Sequence, residues 1–218
     1  MFHHFDWVTA EREFDRAIEL NPNSVTAHHW KGVYLSLRGR LDEAKAEMHR
    51  ALELDPQSLI VTADIGQLHY FAHEYDQAIN YCNRALAMDN SFVMAHVYLR
   101  DIYQMNGMDR EFFQELVQTA PPADEIKAQS IFARAGNKAV LAIEVNDPHY
   151  TGQAGHMAWL NASLADKDKT LEYLNRVLQE RGTGAFFLPF INVDPLYDFL
   201  RDDPRFKEIL RRMNLQPA

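Results

Sequence analysis

Cysteine is almost absent from this sequence: Cys82 is the single one in 218 residues. No intrachain disulfide can form, and nothing in the cysteine usage points to an oxidising compartment. Long apolar runs are missing as well. No stretch approaches the ~18 residues that a membrane span needs. The N-terminal MFHHFDW lacks the basic-then-apolar plan of a signal peptide. The expected location is therefore the cytoplasm, or the periplasm should a membrane segment lie upstream. Basic residues are in deficit, 22 against 31 acidic, for a formal charge of −9. That balance disfavours binding to nucleic acid or to an anionic membrane, both of which need clustered Lys and Arg. One basic run exists, Arg205, Lys207, Arg211 and Arg212, and it reads as the solvated face of a last helix.

Chemistry-bearing motifs are missing too. The sequence holds no GxxxxGK[ST], no GxSxG and no GxGxxG, so phosphate cradles and nucleophile elbows have no candidate. Acidic pairs such as Asp42-Glu43 fall at helix starts, where they favour the helix dipole. Ten histidines invite a metal site. His69 and His73, four apart, could share a helical face in the way zinc ligands do, but no third ligand accompanies them. His3-His4 and His28-His29 are adjacent, and neighbours on a helix point about 100° apart. The expectation is no catalytic residue, no metal and no cofactor: a chain that is not an enzyme.

What is present is order. Apolar residues make up 47% and charged residues 24%, the balance of a folded protein. Ala10, Ala44 and Ala78 are 34 residues apart, as are Ala17, Ala51 and Ala85, and Pro22, Pro56 and Asn90. A fixed period of that length marks stacked helix pairs. The stretch from Val25 to Pro56 holds one whole unit, with a turn at Arg38-Gly39-Arg40. Gly32 and Ala44 are small where its two helices should approach within the ~8–10 Å of good packing, and Met48 and Ala51 continue the buried stripe. The next unit repeats this with Gly66, Ala78, Cys82 and Ala85, Cys82 acting as a small hydrophobe. The unit at 93–119 is looser, with Arg100 and Phe112 at the small positions. Ala120-Pro121-Pro122-Ala123 interrupts the array.

Seven segments follow from these markers: a half-repeat at 1–22, repeats at 23–56, 57–90 and (degenerate) 91–122, a divergent helix pair at 123–147 turning at Gly136-Asn137, a repeat-like pair at 148–182 closed by Arg181-Gly182-Thr183-Gly184, and capping helices at 183–218. The expected fold is all-α, one continuous right-handed superhelix of antiparallel helix pairs. Asp194-Pro195 and Asp203-Pro204 each set a capping acid before a proline, the signature of a helix start, and the two short helices they begin are expected to cover the last pair. At the other end, Thr9–Leu20 reads as a second helix without its first. Phe2, Phe5 and Trp7 look like the tail of a missing helix. Phe5, Trp7, Phe14 and Ile18 are then left uncovered, an apolar edge that would favour a homodimer.

On AEREFDRAIELNPNS (10–24), AHHWKGVYLSLRGRLDEA (27–44), SLIVTADIGQLHYFAHEYDQAI (58–79) and the ending VDPLYDFLRDDPRF (193–206), the chain resembles a tetratricopeptide-repeat protein. More narrowly, it is similar to the repeat region found C-terminal to winged-helix, Ser/Thr kinase or cyclase domains in bacterial signalling proteins. It departs from the family at the position usually filled by tryptophan, which holds His28, Thr62 and His96. The resemblance implies a scaffold that binds a protein or peptide on its concave face, lined by the first helix of each pair. The family register places Thr26, His29, Trp30, Val33 and Leu37 there from one repeat, Ile60, Ala63, Asp64, Gln67 and Phe71 from the next, and Met94, Val97, Tyr98, Asp101 and Met105 from the third. Aromatics and Met with a few polar groups suit an extended peptide or a helix. No Lys or Arg falls at these positions, so a clamp for a chaperone tail's carboxylate is not expected. Trp30, Phe71 and Tyr98 equally suit plain packing between helices, and both readings stand.

Overall fold

The computed structural model describes residues 5–119, 122, 124–148, 150, 152–180 and 187–216. Phe2, His3-His4, Ala120, Pro121, Ala123 and Arg181-Gly182-Thr183-Gly184 lie outside them. Every regular element among the described residues is helical. The chain is an all-α superhelix: α1 (Trp7–Leu20) is followed by the pairs α2 (Val25–Leu37)/α3 (Leu41–Leu54), α4 (Leu59–Phe71)/α5 (Tyr75–Met88) and α6 (Val93–Met105)/α7 (Asp109–Thr119). Then come α8 (Glu125–Glu144), the pair α9 (Ala154–Ser163)/α10 (Lys167–Glu180), 3₁₀ helices at Leu188–Asn192 and Pro195–Leu200, and α11 (Pro204–Arg212). Each pair packs most extensively within itself, and successive first helices, α2, α4 and α6, also touch.

Local chemistry explains the boundaries. Ser24 and Ser58 cap α2 and α4 by accepting from the amides of Ala27 and Val61, satisfying donors that the first turn leaves free. Tight packing follows from the small residues. A β-carbon on Gly32 would meet Met48 Cγ at 2.7 Å; one on Gly66 would meet Cys82 Sγ at 2.7 Å and the Ala78 carbonyl at 3.1 Å. Ala44, Ala51, Ala78, Cys82 and Ala85 are fully buried. Where tryptophan is usual, histidine makes two polar contacts instead. His28 bonds Glu47 at 2.6 Å and the Pro22 carbonyl at 2.9 Å; His96 bonds Glu115 at 2.9 Å and the Asn90 carbonyl at 3.0 Å. Each ties the inter-repeat turn to the second helix of its own pair. Thr62 turns its hydroxyl back to the Ser58 carbonyl at 2.8 Å.

α8 is two helical arms meeting at Gly136, whose φ of +72° and ψ of −174° break the ladder; a residue with a β-carbon rarely takes that φ. Asn137, just beyond, donates to the Asp109 carbonyl and carboxylate at 2.9 and 2.8 Å, which fixes the second arm against the start of α7. On that arm Glu144 is buried, with neither carboxylate oxygen hydrogen-bonded among the described residues. Burial, with Asp147 nearby, pushes its carboxyl up to about 7.

The C-terminal segment does more than cover the last pair. Asp194 and Asp203 cap their helices through the amides of Leu196 and Arg205. α11 sits on α10 through Arg205–Asp168 and Arg212–Asn175 contacts of 2.8 and 2.9 Å, so the basic run is engaged by neighbouring side chains. Before that, residues 187–200 cross the inside of the superhelix as a strap. Phe190 stacks on Phe71, Asn192 donates to the Leu37 carbonyl at 3.2 Å, and the Tyr70 hydroxyl donates to Asp194 at 2.6 Å. The turn after α11 reaches α1. The Trp7 indole donates to the Met213 carbonyl at 2.6 Å, and Asn214 donates to the Phe5 carbonyl at 3.2 Å.

The expected bare N-terminal edge is thereby corrected. Trp7 is the first residue of α1, behind the Asp6 cap, rather than the tail of another helix. It is 2% exposed, and Phe5 and Phe14 pack on the same core as Met213 and Leu215. The homodimer argued from that edge loses its basis, since the chain's own C-terminal turn covers it. The proposed His69–His73 face is corrected too. α4 stops at Phe71, and His73 lies beyond it at φ +59°, while His69 stacks on Tyr81 at 5.3 Å.

Candidate functional site

Between the strap and the first helices of the pairs lies a cavity of about 670 Å³, within the range of a pocket for a small ligand or a partner's side chains. α2 contributes His29, Trp30 and Val33; α4 contributes Ile60, Asp64, Gln67, Tyr70 and Phe71; α6 contributes Met94, Val97, Tyr98, Arg100 and Asp101. α9 closes one side with Gly155, His156 and Trp159, and the strap closes another with Phe187, Phe190, Asp194 and Tyr197.

Eleven of the fifteen groove positions expected from the family register therefore share one cavity, and four do not: Leu37, Ala63, Met105 and Thr26, which is exposed outside it. Leu37 is fully buried in the main core, because the strap crosses at that end of α2 and bonds its carbonyl. Met105 is partly buried between two core clusters. Of the flanking positions, Ala63 is packed away completely.

The cavity has a polar centre built from three helices. Asp64 of α4 is bonded by His29 Nε2 of α2 at 2.7 Å and accepts from the Tyr98 hydroxyl of α6 at 2.8 Å. All three are largely buried, so this carboxylate is held by its partners rather than by water. Burial, then the Asp64 charge, raises the Tyr98 hydroxyl well above its ordinary range. Arg100 points a forked guanidinium at Asp101 Oδ1, at 2.9 and 2.8 Å, and lies 4.4 Å over the Trp159 ring, a cation–π stack. Asp194 of the strap is partly buried at the cavity wall, and that burial raises its carboxyl to about 7 even though the Tyr70 bond opposes the shift. Trp30, 38% exposed, is a large indole in open reach of an incoming group.

Tyr70, Arg100, Trp159, Phe190 and Asp194 were not legible as groove residues. The first two are out of phase with the family's concave positions, and the others come from remote parts of the chain. The composition of AFFLPFINVDPLY was the available signal. It is too apolar for a one-sided cap and fits a segment covered on two sides.

Fold and site together define a repeat scaffold: stacked helix pairs that present a ligand-sized groove on the inner face. Tetratricopeptide-repeat profiles match residues 13–46 and 35–97. Residues 13–97 are therefore built of tetratricopeptide repeats, and such repeats are scaffolds for protein–protein interaction. Among solved structures, it is similar to the tetratricopeptide-repeat domain of P58(IPK), at 15% identity and a TM-score of 0.42 over 96% of this chain. The chain spans 60% of the length of that structure. No curated protein matches the sequence. None of the described helices is long and apolar enough to cross a membrane.

Proposed function

We propose that this chain is a non-catalytic arm that takes a protein or peptide partner into the concave groove, in the setting of a bacterial signalling or transcription regulator in the cytoplasm. What supports the reading is one cavity lined by His29, Trp30, Val33, Asp64, Gln67, Phe71, Val97, Tyr98 and Asp101 from three successive repeats. The strap fills part of the inner face, so the partner enters as a short segment or a few side chains. A long extended peptide has no room beside Asn192 and Leu37. A chaperone tail's carboxylate finds no free clamp there, because Arg100 is engaged by Asp101. Nucleic acid is disfavoured by the carboxylates lining the cavity.

Trp30→Ala tests the reading. The side chain is 38% exposed, so its removal leaves the fold in place. Immobilised wild-type protein retains the partner, and the variant at equal loading retains about ten-fold less, the loss expected of an aromatic anchor. Equal retention by the two proteins would refute the groove as the binding surface. A winged-helix, kinase or cyclase domain encoded upstream of Met1 supports the regulator setting; a free-standing natural chain argues against it.

A further inference from the structure

The groove's charge and its aromatic walls are asymmetric in a way that specifies a ligand. Three carboxylates line it, Asp64, Asp101 and Asp194, while Arg100 is the one Lys or Arg among the described lining residues. His29 and His156 also line it; His29 is committed to Asp64. Arg100 and Asp101 offset each other, since Asp101 receives both arms of the fork, so the acidic excess rests on Asp64 and on Asp194 where it is ionised. Trp30 presents an indole to the opening, tilted against the neighbouring His29 ring at 5.4 Å. An indole face beside carboxylates in a partly desolvated cavity attracts a cation with an apolar stem, through the ring quadrupole and the carboxylate charge together. The protein itself carries an example on the far wall, where Arg100 lies over Trp159 beside Asp101. A carboxylate ligand meets the opposite sign, and a plain apolar side chain leaves the polar centre without a use.

We propose that the cavity anchors the side chain of an arginine or lysine presented by a partner protein, its charge facing Asp64 and Asp101 and its stem against Trp30. This rests on the groove reading and adds the partner's chemistry to it. The Asp101 side chain is 24% exposed, enough to be changed without unfolding the chain, and the two members of the Arg100–Asp101 pair predict opposite outcomes. Asp101→Asn removes a negative charge and frees Arg100 to repel the ligand. Arg100→Gln removes the competing cation and frees Asp101 for the ligand.

The probes are nine-residue Gly/Ala peptides with a central Arg, Lys, Glu or norleucine, plus free arginine amide, titrated into the full chain by tryptophan fluorescence and calorimetry. The Arg and Lys peptides bind saturably, and the Glu and norleucine peptides bind about ten-fold more weakly or not at all. Asp101→Asn weakens the Arg peptide about ten-fold and Arg100→Gln strengthens it, with unchanged helical circular dichroism in both. Equal binding of norleucine and arginine peptides overturns the proposal, as does indifference to both substitutions. Binding of arginine amide without binding of the peptides assigns the cavity to a small cation and overturns the partner. A partner lost on Trp30→Ala but captured equally by wild type and Asp101→Asn leaves the groove reading intact and sinks the cation alone.

Discussion

Asp194 should make this protein more stable in mild acid than at pH 8. Its carboxyl is raised from 3.8 to about 7, first because burial penalises the charged form, with Asp101 and Asp198 adding repulsion while the Tyr70 hydroxyl and the Leu196 amide oppose it. Raised in the folded state, this acid holds its proton more tightly folded than unfolded. Its contribution is greatest below about pH 4, falls between about 4 and 7 and is flat above. At 1.36 kcal/mol per pKa unit the full displacement corresponds to about 4 kcal/mol. Asp194 opens onto the cavity, where water relieves part of the strain, so about 2 kcal/mol is the expected size. Asp194→Asn keeps the shape, the cap and an oxygen to accept from Tyr70 and Leu196, and it cannot ionise. Urea unfolding of both proteins at pH 5, 6, 7 and 8 reads the difference. The variant should gain about 2 kcal/mol over wild type at pH 8, and the gap should close towards pH 5. Equal pH slopes in the two proteins, or an Asn variant weaker at pH 8, would refute the reasoning. Tyr70 and Tyr197, also facing this group, are raised well above their ordinary range and do not titrate in that window.

Glu144 adds a second contribution of the same sign, being raised to about 7. Glu144→Gln should therefore stabilise at pH 8 by about 1–2 kcal/mol, with the gap shrinking to a few tenths by pH 5, read by the same titration. Gly66→Ala should cost about 1–3 kcal/mol because the Ala78 backbone cannot give way. Gly32→Ala should cost less, because the clash is with the flexible Met48 chain; thermal melts rank the two, and a reversed order would contradict the packing. Trp7→Phe keeps the ring and loses the bond to the Met213 carbonyl, at a cost of about 1–2 kcal/mol. Light scattering should show wild type as a monomer at all concentrations; a dimer that requires α1 would contradict the covered edge.

The helix pairs were legible in the sequence because their determinants are local and periodic. Gly32 and Gly66 where axes approach, Ala44 and Ala78 opposite them, and Pro22, Pro56 and Asn90 after second helices can all be found by stepping 34 residues along the chain. The groove was legible only as far as register carries. Trp30, Asp64 and Tyr98 arrive together because the same helix face recurs. Leu37 and Met105 miss the cavity at the ends of α2 and α6, where the strap and neighbouring cores intervene. Nothing local announces a bond between residues 206 positions apart, as Trp7 and Met213 are. His73 escaped for a similar reason: it reads as helical by spacing, but its left-handed backbone belongs to the turn that starts α5.

The tie between Trp7 and Met213 alters how the array comes apart. Units stacked in a line contact only their neighbours and fray from either end, so such arrays melt progressively. Here the first helix is also bonded to the turn after α11, and α11 with the 3₁₀ segments in turn holds α2, α6, α9 and α10. Amide exchange in α1 is therefore coupled to opening of the whole, and unfolding becomes all-or-none where a linear array of this length would unzip. The cost falls on kinetics: closing contacts of such sequence separation must wait until the intervening helices are placed.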